Sequence, residues 1–195
     1  MRAYYDARAG EYDDWWLGTG LFAHQQRPGW AQEVAELIAL VEALPPAHVL
    51  DVACGTGFLT AHLAGSVVGL DQSTEMLAIA APRLGGGRLI CAEATALPFG
   101  DGEFERIFTS HFYGHLLEVE RSAFIAEASR VAGELVLVDS ARREGVAAEQ
   151  WQQRVLGDGS RHRVYKRYFE ADELAAEIGG ARVLHAGRWF VAVAR

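Results

Sequence analysis

The 195-residue sequence predicts a doubly wound α/β fold, a largely parallel sheet with helices on both faces. Three observations predict it. From His48 onward, short apolar runs alternate with stretches of helical period. The runs are near-continuously apolar rather than alternating, as strands covered on both faces must be. Acidic residues, Asp51, Asp71 and Glu93, recur at the ends of consecutive runs, and a glycine turn follows the first of them.

The elements follow in order. Residues 1–27 interleave Tyr4, Tyr5, Tyr12, Trp15, Trp16 and Phe22 with charged residues in no clean period, and are expected to form an aromatic arm. Pro28 opens an amphipathic helix carrying Trp30, Val34, Leu37, Ile38, Val41 and Leu44 at spacings of three and four, and Pro45-Pro46 ends it. Strands are expected at 49–52, 67–70, 88–91, 106–109 and 134–138, with helices at 57–64, 73–83 and 119–131 between them. Next comes a polar stretch with Arg142, Arg143, Arg154, Arg161, Arg163, Lys166 and Arg167. It reads as a solvated helix face balanced by Asp158, Glu170, Asp172 and Glu173, the alternative being recognition of an anionic substrate group. A helix at 170–178 ends in Gly179-Gly180, and strands at 182–186 and 189–194 pair across Gly187-Arg188. The expected organisation is one domain over 1–195: arm 1–27, core 28–139, a lid-like insertion 140–168, and a helix with a strand pair at 169–195.

Composition narrows the function classes. The 18 Lys+Arg against 26 Asp+Glu give a net charge of −8, so no overall basic field draws nucleic acid or an anionic membrane. The two cysteines, Cys54 and Cys91, have no zinc-site spacing, and no metal is expected. The N-terminus is not a basic segment followed by an apolar run, and no run reaches membrane-spanning length, which points to the cytoplasm. The expected partner is a small-molecule substrate, bound by a monomer or a homodimer.

The chemistry concentrates in Val49-Leu50-Asp51-Val52-Ala53-Cys54-Gly55-Thr56-Gly57, a buried strand running into a tight turn and then a helix. Glycines there let the backbone turn sharply and a ligand approach closer than a Cβ permits, at the sheet edge where open α/β folds bind ligands. Asp71, twenty positions after Asp51, suits a ribose, whose two hydroxyls a carboxylate accepts together. Thr60 stands where a dinucleotide fingerprint requires its third glycine, so a pyrophosphate is disfavoured. Asp51 would repel a phosphate and favour a ligand carrying positive charge. A cationic nucleoside fits best.

These residues resemble the class I S-adenosylmethionine-dependent methyltransferases, specifically the ubiquinone/menaquinone-biosynthesis type acting on small molecules. The resemblance rests on Asp51-x-Ala53-x-Gly55-x-Gly57, on Asp71-Gln72-Ser73-x-x-Met76-Leu77, and on Cys91-Ala92-Glu93-Ala94 followed by Leu97-Pro98-Phe99. It implies a Rossmann-like seven-stranded sheet with an antiparallel last strand, S-adenosyl-L-methionine as cofactor, and S-adenosyl-L-homocysteine as product. It further implies that Gly55 and Gly57 pack on the methionine part and ribose, that Asp71 holds the ribose, and that Gln72, Met76, Glu93 and Ala94 surround the adenine. Ser110 falls where the family touches the methionine part, and Tyr5 and Tyr12 in the arm are candidates for its carboxylate end. His111 and His115, just past the fourth strand, are candidate general bases. Trp15, Trp16, Tyr113 and Trp151 are expected to dock the arm rather than line a substrate pocket. Two departures stand out: the usual Pro-Gly-Gly turn before the fifth strand is shortened to Val131-Ala132-Gly133, and the [N/D]-P-P-[Y/F] tetrapeptide of amino-methylating enzymes is absent. The alternatives are a non-catalytic S-adenosylmethionine-binding protein and an NAD-dependent reductase.

Overall fold

The computed structural model, which describes residues 1–195, has nine strands, seven of them from the apolar runs. They are β1 (Ala47–Val52), β2 (Gly65–Asp71), β3 (Arg88–Cys91), β4 (Phe104–Ser110), β5 (Ala132–Ser140), β6 (Glu149–Val155), β7 (Arg161–Arg167), β8 (Arg182–Ala186) and β9 (Phe190–Ala194). Seven form one sheet in the order β3-β2-β1-β4-β5-β9-β8, and β6 pairs only with β7. β1 lies parallel to β2 and β4, β4 to β5, while β9 runs antiparallel to both neighbours. The order reverses between β1 and β4, the place where doubly wound sheets open a crevice at the strand ends.

Side chains alternate across the sheet because successive Cβ atoms point to opposite faces. Leu50, Val52, Ile107, Leu135, Leu137, Val191 and Val193 meet Phe124, Ala128 and Val131 of α5 (Glu118–Val131) and Leu174 of α6 (Ala171–Glu177) on one face. Val49, Phe108, Val136, Val138, Phe190 and Ala192 meet Val34, Leu37 and Val41 of α3 (Trp30–Glu42) on the other. The strands are therefore covered twice, which is why they read as unbroken apolar runs.

Four expectations are corrected. The arm is two short helices, Arg2–Arg8 and Tyr12–Leu17, each too short to show a helical period, and the long aromatic side chains dock them. The helix expected at 57–64 is a single 3₁₀ turn, Thr60–His62, because β1–β2 pairing starts early, at Ala47 with Gly65, and uses up the chain. Gly65, at φ +108°, enters β2 where a Cβ would run into the Ala47 carbonyl. The polar stretch is no helix face. It is the β6–β7 hairpin, whose alternation turns Arg161 and Arg163 outward while Lys166 is buried and Arg154 half-buried. Finally, α5 passes into β5 with no intervening turn, Ala132 already being extended, so the missing Pro-Gly-Gly has no counterpart. No helix is long and apolar enough to cross a membrane.

Candidate active site

The turn after β1 and the end of β2 are built as one unit. Gly55 takes φ +56° and donates its N–H to Asp71 Oδ2 at 2.9 Å, while Ser73 N–H donates to Oδ1 at 2.9 Å. Asp71 is thus locked at the β2 terminus with lone pairs remaining on both oxygens for ligand hydroxyls. Ser73 then caps α4 (Thr74–Arg83), accepting from Met76 N–H at 3.2 Å, and so brings Met76 to the same edge. Ala53 has φ +60°, an uncommon conformation for a residue with a Cβ, which lays the backbone of the turn along the crevice.

The arm closes over this edge. Asp6 accepts from Ser73 Oγ at 2.6 Å, and Asp13 accepts from Thr56 Oγ1 at 2.6 Å while pairing with Arg83. Trp16 is 3% exposed, stacks on Phe58 at 4.8 Å between centroids and lends its carbonyl to Trp30 Nε1–H at 2.8 Å. Trp16 docks the arm as expected. Trp15 and Trp151 instead line cavities, Trp151 half-exposed on the hairpin beside Tyr165, and Tyr113 is buried against Phe124 and Phe169.

Two cavities result. One, of about 400 Å³, is lined by ten of the residues expected at the cofactor: Tyr5, Tyr12, Ala53, Gly55, Asp71, Gln72, Met76, Glu93, Ala94 and Ser110, with Met76 buried in the wall and Glu93 exposed at the rim. The structure places two expected residues elsewhere. Gly57, at φ +77°, packs against Ala80 of α4, where an added Cβ would stand 3.4 Å from the alanine Cβ. Asp51 is buried beneath the turn, its Oδ2 accepting from Thr60 Oγ1 at 2.5 Å and its Oδ1 without a partner. Burial pushes its carboxyl up to about 8, with a smaller push from Asp71.

The second cavity, of about 510 Å³, lies between the arm, the hairpin and the ends of β5 and β9. Tyr5, Tyr12, His111 and His115 line both cavities and form their common wall. His115 Nδ1 lies 2.7 Å from the Tyr165 carbonyl, which only accepts, so Nδ1 carries the hydrogen and Nε2 keeps its lone pair. Its pKa falls well below the ordinary histidine value, through burial first and then Lys166 and Arg154. His111 stands at φ +54° in a cage of Trp15, Trp16 and Phe190, with Nδ1 at 3.4 Å from Ser140 Oγ and Nε2 without a partner. Burial lowers it to about 3, against the opposing pull of Asp139. Both rings are neutral at ordinary pH. Burial likewise raises both tyrosines, Tyr12 to about 12, so they face the wall as neutral hydroxyls.

Sequence reasoning missed Arg8, Gln152 and Tyr168 as cavity residues and left Arg154 and Lys166 on a solvated face. Strand alternation through 149–167 was the signal that could have found Gln152, Arg154 and Lys166, whereas nothing in the local sequence marks Arg8. No group of three or more His, Cys, Asp or Glu is placed to hold a metal ion.

Residues 49–134 match the family described as methyltransferase domain. A demethylmenaquinone methyltransferase from Thermotoga maritima is 36% identical over 143 residues, 69% of this chain and 59% of that protein. The chain thus spans less than two thirds of the length of that relative. Among solved structures, one titled a DhpI–SAH complex superposes with a TM-score of 0.74 at 27% identity, covering 98% of this chain and 92% of the other. A DhpI–SAM–HEP complex gives 0.74 at 26% identity, covering 99% and 94%. By its fold and these matches the chain resembles the class I S-adenosylmethionine-dependent methyltransferases.

Proposed function

We propose that the protein transfers a methyl group from S-adenosylmethionine to a small-molecule acceptor. The observation that carries this reading is the pair of cavities meeting at one wall of Tyr5, Tyr12, His111 and His115. One cavity holds the motif residues, and the other is large enough for a separate substrate.

The cofactor cavity fits the nucleoside. Gly55 has no side chain where a Cβ would point at the Tyr12 ring, 3.7 Å away, so the space between turn and arm stays open. Asp71 offers the acceptor pair for the ribose hydroxyls; Gln72, Met76, Glu93 and Ala94 form the adenine end; Ala53, Gly55 and Ser110 border the methionine end, with the Tyr5 and Tyr12 hydroxyls as donors for its carboxylate. When bound, the cofactor supplies a methyl group already activated on a sulfonium. The protein therefore has to align the acceptor, exclude water and receive a proton where the nucleophile carries one. The arm and hairpin cover the shared wall, and the Nε2 lone pair of His115 is the proton-receiving atom held there in a fixed orientation.

A non-catalytic cofactor binder has no use for the second cavity, which argues against that alternative. Calorimetric titration with S-adenosylmethionine, S-adenosylhomocysteine and NAD tests the reading. Micromolar binding of the first two, lost in Asp71→Ala, is expected, with none for NAD. Binding of NAD alone would overturn it.

A further inference from the structure

The second cavity has an electrostatic character opposite to that of the whole chain. In a protein of net charge −8, it is lined by Arg8, Arg27, Arg143, Arg154 and Lys166 against the single carboxylate of Glu11. That carboxylate is engaged by the Gly157 N–H at 2.9 Å. Of the five cations only Lys166 has a carboxylate partner, Asp139; Arg8, Arg27, Arg143 and Arg154 form no ion pair.

Arg8 is 7% exposed, and its guanidinium donates to one acceptor only, the Tyr4 hydroxyl at 2.8 Å. Arg154 reaches the same hydroxyl at 3.2 Å and otherwise bonds only Gln152. Arg143 lies over the Trp189 ring at 4.4 Å. A guanidinium has five N–H donors, and burying it with so few neutral acceptors is costly unless something else supplies them. Fork-shaped donors converging on one space match the oxygens of a carboxylate or a phosphate, for which such pairs are bidentate. Arg8 also packs over the Tyr12 ring at 4.9 Å, which places the charge next to the wall shared with the cofactor cavity.

We infer that the methyl acceptor carries an oxyanion, a carboxylate or phosphate-type group, and that Arg8 and Arg154, with Arg143 at the mouth, hold it beside the shared wall. This rests on the methyl-transfer reading for the word acceptor, but not for the anion site itself. Bringing in an anion neutralises the field of Arg8, Arg154 and Lys166, each of which lowers the basicity of His111. An anionic acceptor therefore restores proton affinity to the wall as it binds, and an uncharged one does not.

Calorimetry on the full chain loaded with S-adenosylhomocysteine tests the site, using inorganic phosphate and acetate as probes and glycerol as the uncharged control. Saturable one-to-one binding of an anion is expected, weakened about tenfold to a hundredfold by Arg154→Gln and mostly restored by Arg154→Lys. Arg143→Gln, at a half-exposed position, should weaken it less, and unchanged S-adenosylhomocysteine affinity shows that each variant is folded. Phosphate binding more tightly than acetate assigns a phosphate-type group, and the reverse assigns a carboxylate. Glycerol binding as well as both anions, or an Arg154→Gln protein that holds phosphate like the parent, overturns the inference. Failure of S-adenosylhomocysteine to bind overturns the methyl-transfer reading instead, and the same anion titrations on the unloaded chain then decide the anion site by themselves.

Discussion

Asp51 should be a residue the protein keeps at a cost to its own stability. Its ordinary pKa of 3.8 rises to about 8 in the fold, because the carboxyl is 1% exposed and only one of its oxygens has a donor. A raised pKa means that the stabilisation of the protonated form is complete below pH 3.8 and is lost as pH rises toward 8. At pH 7 this difference costs about 4 kcal/mol relative to a neutral side chain of the same shape, at about 1.4 kcal/mol per unit. Asp51→Asn removes the charge and keeps an oxygen for Thr60, but its amide N–H₂ faces the position where Oδ1 had no partner, a loss of about 2 kcal/mol. The ligand-free variant should therefore be about 2 kcal/mol more stable than the parent at pH 7. The advantage should shrink toward zero near pH 5. Urea unfolding of both proteins at pH 5, 6 and 7 measures it, and because the seven histidines are common to the two proteins, the difference reports on Asp51. Parallel stability curves at all three pH values, or a variant weaker than the parent at pH 7, would refute the reasoning.

Other perturbations follow from the same geometry. With His111 lowered to about 3 and His115 well below its ordinary value, both rings stay neutral from mildly acid to neutral pH. The pH profile of kcat/KM for methyl transfer, which reports the free enzyme, should then show no histidine inflection between about pH 5 and pH 7, and an inflection near 6.5 abolished by His111→Gln or His115→Gln would contradict this. Trp16→Ala removes a buried indole stacked on Phe58 and should cost about 3–5 kcal/mol in chemical denaturation. Asp13→Ala breaks the link from the arm to Thr56 and Arg83 at a partly exposed site. Global stability should change by less than about 1 kcal/mol while S-adenosylhomocysteine affinity drops several-fold, since the arm covers that cavity.

The cavity lined by the motif residues was legible because it is local. Asp51 to Gly57 and Asp71 to Met76 are each a strand end, a turn and the start of the next segment, so their spacing in sequence is their spacing in space. Even so, motif membership did not say which glycine faces the ligand. Gly55 lines the cavity while Gly57 packs on Ala80, a division that depends on where α4 lies. The sheet was legible for a related reason: burial on both faces leaves a compositional mark on each strand separately. The 57–64 segment misled because its apolar spacing satisfies a helix, whereas the early β1–β2 pairing leaves no chain for one.

The second cavity was not legible, because its residues come from distant segments that only the tertiary fold brings together. Arg8 and Arg154 meet on the hydroxyl of Tyr4, and the chain between them contains five of the seven strands of the main sheet. Read along the sequence, the basic residues of 142–167 are balanced by nearby acids and look solvated. The hairpin breaks that balance by sending alternate side chains to opposite sides. Arg161 stays outside and Arg163 stands exposed at the rim of the motif-lined cavity, while Arg154 and Lys166 are carried inward to the second one. Asp139 follows Lys166 inward, holding it and also accepting the Gly114 N–H at 2.7 Å, so the hairpin is tied to the loop that carries His111 and His115. A shift of the hairpin by one residue would turn both inward cations out to solvent, as it would any strand whose faces differ. The charge of the second cavity is therefore a property of strand register, fixed by the Lys166–Asp139 pair rather than by the count of basic residues.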